Sequence, residues 1–98
     1  MTAIAVRCDG NPVEGWTCAV TLSEDGRPVS VHAVRVPSAD LARLAPAAAS
    51  PDGLVEQSFV FLLEREPPQS ILRSFDLLEI ARYFPEYEAD IKRRVRPR

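Results

Sequence analysis

Histidine occurs once in this sequence, cysteine twice and glycine only four times. Each scarcity removes a class of chemistry. With so few soft ligands, the only zinc candidates are Cys8, Cys18 and His32, and no fourth residue stands at a metal-motif spacing from them. Scattered glycines leave no phosphate-cradling loop, and no recognisable catalytic spacing is present. No run approaches the roughly 18 apolar residues that cross a bilayer. The opening MTAIAVRCDG has neither a basic start nor a long apolar run followed by a cleavage site, so a cytoplasmic setting is expected. Two cysteines are too few for the disulfide framework of a secreted miniature domain, and reduced thiols are the expected state.

What is present suits one folded unit. The chain has 98 residues, 46% of them apolar and 27% charged, which is enough to bury a core without metal or disulfides. Residues 1–95 read as a single α+β domain and residues 96–98 as a frayed basic tail. The net charge of -2 hides an asymmetry: Lys92, Arg93, Arg94, Arg96 and Arg98 are five of the twelve basic residues. The remainder carries seven basic against fourteen acidic side chains, a net of -7, which disfavours nucleic acid as a partner of the body.

The first third alternates with a period of two. Ile4, Val6 and Cys8 form one apolar row, and Trp16, Cys18, Val20 and Leu22 form another, as in half-buried strands. DGNPVEG between them is turn-forming and joins the pair as antiparallel neighbours. Asp25-Gly26 has the chemistry of a two-residue type I′ turn. That turn sets Leu22 opposite Val29, Val20 opposite Val31, Cys18 opposite Ala33 and Trp16 opposite Arg35, a register that the apolar alternation also supports. Ser30 and His32 then face solvent with Thr17, Ala19 and Thr21.

The remaining residues read as helices with marked ends. Ser38 is placed to cap a short helix carrying Leu41 and Leu44, which Pro46 ends. Ser50 and Pro51 open a longer helix that runs to Glu66 before Pro67-Pro68. Its residues Val55, Phe59, Leu62 and Leu63 follow helical spacing, widened by Val60 and Phe61. A short turn or 3₁₀ segment covers 68–73. Asp76 and Glu79 then form a capping box flanked by Phe75 and Ile80, and Pro85 separates that helix from a last one ending in Lys92, Arg93 and Arg94. The expected fold is α+β, with an N-terminal antiparallel three-stranded sheet followed by three to four helices packed on one face.

The segments FLLEREP, SIL, FDL and RYFPEY resemble the closing signature of a family of small uncharacterised bacterial proteins. The resemblance spans about residues 52 to 91 and is weaker over the hairpin. It implies a bacterial cytoplasmic origin and supplies no catalytic or binding residue.

Two groups of side chains remain as candidate sites. The tail residues Lys92, Arg93, Arg94, Arg96 and Arg98 suit contact with an anion or nucleic acid, although helix-dipole complementarity accounts for half of that charge without a ligand. Glu64, Arg65, Arg73, Glu79 and Arg82, with Glu66 beside them, form a polar set of the kind that can run acid and base chemistry; solvated ion pairs are the commoner outcome. No cofactor and no metal are expected. The leading functional expectation is a non-catalytic protein-interaction or assembly module whose partner is another protein or a second copy, a homodimer. A nucleic-acid-associated protein using the basic tail and an enzyme using the Arg/Glu cluster are the alternatives.

Overall fold

The computed structural model describes residues 1–95. Four strands, β1 (Thr2–Asn11), β2 (Gly15–Glu24), β3 (Arg27–Val36) and β4 (Ser74–Asp76), lie side by side in that order. The first three form an antiparallel meander and β4 runs parallel to β3. The helices are α1 (Ser38–Leu44), α2 (Asp52–Leu63), α3 (Ile80–Tyr83) and α4 (Tyr87–Arg94). The α+β class and the meander agree with the sequence, and β4 adds a strand to the three expected.

Asn11 makes the first turn, its Oδ1 accepting the N–H groups of Val13 at 2.9 Å and Glu14 at 2.8 Å. In the resulting register Cys8 and Cys18 lie directly opposite each other and are joined by a disulfide. This corrects the expectation of reduced thiols. A hairpin folding about residues 12–14 brings these two positions together whatever the cysteine count suggests.

The second turn has left-handed φ values at both central residues, 52° at Asp25 and 82° at Gly26, as a type I′ turn requires. Beside it, Glu24 pairs with Arg27 and Ser23 with Pro28. The ladder then shifts by one residue between Leu22 and Ser23. Beyond the shift Leu22 meets Ser30, Val20 meets His32, Cys18 meets Val34 and Trp16 meets Val36, in place of the expected Val29, Val31, Ala33 and Arg35.

Two physical causes favour this bulge. Pro28 has no N–H to give to the ladder, and an extra residue absorbs the gap. An unshifted ladder would also have driven Arg35 into the core beside Trp16, whereas the shifted one buries Val34 and Val36 and leaves Arg35 outside.

One face of the sheet is covered. Trp16, Val20, Leu22, Val34 and Val36 merge with Leu54, Phe59, Phe61 and Leu62 into a single core, closed at the far side by Tyr87 and Ile91. Burial holds the Tyr87 phenol protonated, its pKa raised above the usual tyrosine value. Its hydroxyl donates to Ser58 Oγ at 2.7 Å, and Ser58 Oγ donates in turn to the Leu54 carbonyl at 2.7 Å. That chain of bonds fixes α4 on α2.

Two helix starts differ from the sequence reading. The residue before α2 is Pro51 and no side chain caps it, so Ser50 lies outside; α1 follows Pro37, and Ser38 Oγ instead donates to the Pro12 carbonyl, tying α1 to the first turn. The Asp76 and Glu79 capping box forms as expected, with the Asp76 N–H on Glu79 Oε2 at 2.7 Å. It opens a 3₁₀ turn, Leu77–Glu79, that leads into α3.

Candidate functional site

The bulge turns His32 inward, against the expectation of a solvent-facing ring. It is 1% exposed, with its ring 5.4 Å from that of Phe59. Nδ1 lies 2.6 Å from the Leu72 carbonyl oxygen, which can only accept, so Nδ1 carries the hydrogen. Nε2 then accepts from Ser30 Oγ at 2.8 Å. Together with the Ala33 N–H on the Arg73 carbonyl at 2.7 Å, this pins the segment leading to β4 against β3. Ser30 and His32 are within nucleophile-and-base distance, yet the cleft described below is lined by neither. The cysteines share the inner face with His32, but their sulfurs are bonded to each other. Among the described residues no group of three or more His, Cys, Asp or Glu side chains converges as a metal site.

The polar set divides. Glu64 and Arg65 come together with Glu86, Asp90 and Arg94, whereas Arg73, Glu79 and Arg82 stand elsewhere. Arg94 grips Glu64 with two nitrogens, at 2.6 and 3.2 Å, and reaches Asp90 at 3.2 Å. Arg65 lies flat over the Phe61 ring, 3.5 Å from its centroid, and donates to Glu86 at 3.1 Å. The hydrogen bonds from Arg94 hold the Glu64 and Asp90 carboxyls below their usual range. This network clamps the end of α2 to α4 and leaves every carboxylate in it matched by a guanidinium, which is poor acid and base chemistry and good splinting. Arg93 also pairs with Asp90, so two of the tail cations are already engaged. Lys92 is exposed on α4, and Arg96 and Arg98 lie outside the described residues.

The sheet offers a different feature. β1 pairs with β2 on one side only, and among the described residues no strand pairs with its other edge along ten residues. The Cα atoms of Cys8 and Cys18 are 4.0 Å apart, close to the spacing of a non-hydrogen-bonded antiparallel pair. The N–H and C=O groups of Thr2, Ile4, Val6, Cys8 and Gly10 therefore point away from β2 toward the open edge. Ile4, Val6 and Cys8 pack on the core but stay half-buried. Proline and lysine, the usual guards of such edges, are missing from β1.

A cleft of about 360 Å³ opens where the end of α2 meets the 70–72 segment and α3. Its floor is Leu62, Ile71, Phe75 and Ile80, all buried. Leu72 and Tyr83, 47% and 66% exposed, stand at its rim. The cleft's two ionisable acids are Glu66 and Glu79, and no basic residue lines it. From the sequence a free sheet edge is expected as a partner surface, though not which strand supplies it, and the cleft is not singled out. A ten-residue alternating strand at the start of a meander is the signal for the first; the second depends on how α3 folds back and has no local signal.

Comparison with known protein families, with curated proteins and with solved structures returns no match in any of the three.

Proposed function

We propose that this chain is a small non-catalytic assembly module that works by strand addition at β1, and that a second copy of the chain is its first occupant. The uncovered β1 edge carries the reading. The five alternate residues Thr2, Ile4, Val6, Cys8 and Gly10 turn their backbone donors and acceptors to the open edge, and a joining strand satisfies them at once. The inner row is apolar and symmetric about Val6. An antiparallel two-fold pairing sets Val6 against its own equivalent and Ile4 against Cys8, covering all three half-buried side chains and extending the sheet to eight strands. On the outer face Ala3 and Ala5 are too small to obstruct the approach.

The bacterial and cytoplasmic setting belongs to the same proposal. In a reducing compartment the Cys8–Cys18 pair exchanges with its dithiol form.

Sedimentation velocity over a concentration series tests the proposal, with Val6→Pro as the informative variant. The Val6 N–H faces the open edge, so proline there leaves the β1–β2 ladder intact while removing a donor at the two-fold axis. The wild-type chain is expected to dimerise with rising concentration and Val6→Pro to stay monomeric with an unchanged circular dichroism spectrum. A wild-type chain that remains monomeric throughout, or a variant that dimerises equally well, rejects it.

A further inference from the structure

We propose that the cleft between α2 and α3 is a docking site for a protein partner presenting an aliphatic side chain beside an arginine. The floor of Leu62, Ile71, Phe75 and Ile80 is a desolvated apolar surface of the size that receives one or two side chains. The charge of the walls selects what accompanies it: Glu66 and Glu79 face the cleft without any lining cation.

Glu66 differs from the acids of the α2–α4 splint. Glu64, Glu86 and Asp90 each meet an arginine, and Glu88 meets Arg43. Among the described residues no cation pairs with Glu66, and its partial burial raises its carboxyl pKa above the ordinary glutamate value. A carboxylate kept partly desolvated without a counter-ion costs stability, and an incoming cation would reduce that cost. Glu79 already uses one oxygen on the Asp76 N–H and has a second to offer.

Arginine is preferred over lysine because Tyr83 stands exposed at the rim. A guanidinium can stack on that ring while its edge meets Glu66. The molecule builds this arrangement once within itself, where Arg65 stacks on Phe61 and pairs with Glu86. Leu72, also exposed at the rim, offers apolar contact to the aliphatic neighbour.

Two-dimensional NMR of the full chain, titrated with N-acetyl-leucyl-arginine amide and separately with N-acetyl-leucyl-glutamate amide, provides the test. Saturable shifts at Ile71, Leu72, Ile80 and Tyr83 are expected with the arginine probe alone. Glu66→Gln should weaken that binding roughly tenfold, the value of one charge-assisted contact, and Tyr83→Ala should weaken it as well, both variants keeping the dispersed spectrum of the wild type. Absence of saturable shifts, equal response to both probes, or unchanged affinity in Glu66→Gln overturns the proposal.

Discussion

His32 illustrates how one side chain can be structural at three points. Its ring packs on Phe59, its Nδ1–H satisfies the Leu72 carbonyl, and its Nε2 takes the Ser30 hydroxyl. Leucine at this position keeps much of the apolar contact and removes both polar ones, leaving a carbonyl without its donor. His32→Leu is therefore expected to lower stability by about 1 to 3 kcal/mol in urea unfolding. An unchanged midpoint would mean that water replaces the imidazole. The direction of this side chain was not legible beforehand, because a single bulge reverses every residue beyond it. A clue was nonetheless present: without the shift, Arg35 would have pointed into the core and Val34 and Val36 out of it.

Among the elements, the β1–β2 hairpin depends on its cross-link. The bond spans ten positions, a loop for which chain-entropy arguments give about 2 to 3 kcal/mol. Reduction with dithiothreitol, or the double substitution Cys8→Ser with Cys18→Ser, should move the urea midpoint down by a corresponding amount while the helices persist. Equal midpoints in oxidising and reducing buffer would contradict this. The bond itself was within reach of the sequence. Two strands meeting through Pro12–Glu14 place positions 8 and 18 face to face, and only a compositional argument about secreted domains pointed the other way. The type I′ turn and the Asp76–Glu79 box were read correctly because each depends on chemistry within a few residues. β4 escaped notice since three residues show no period, and only its long-range pairing with β3 makes it a strand.

The whole molecule combines a dry interior, whose merging of both halves was legible from apolar spacing, with an ionic splint that was only half legible. Glu64 and Arg65 were anticipated, but Glu86, Asp90 and Arg94 join them through the packing of α4, which no local pattern encodes. The splint has a pH signature. Hydrogen bonds from arginine depress its Glu64 and Asp90 carboxyls, as Arg43 of α1 depresses that of Glu88 beside it, so their stabilising contribution is present above the ordinary values of 4.5 for glutamate and 3.8 for aspartate. It is lost as pH falls through the lower folded values. Glu66 has the opposite sign: its raised pKa makes ionisation unfavourable to the fold, and protonation relieves it. The melting temperature should accordingly hold through neutral pH and drop below about pH 4, with Glu66→Gln equal to or above the wild type at pH 7. A melting temperature that rises on acidification below pH 4 would show that the arginine contacts contribute nothing.

One asymmetry of the sheet sets a limit on growth. At the border opposite β1 the outermost strand is a three-residue stub whose ends are taken up by a turn and a capped helix, too short to receive a neighbour. The strand addition proposed at the long border would therefore terminate after one event, since the sheet offers no second border for continued growth.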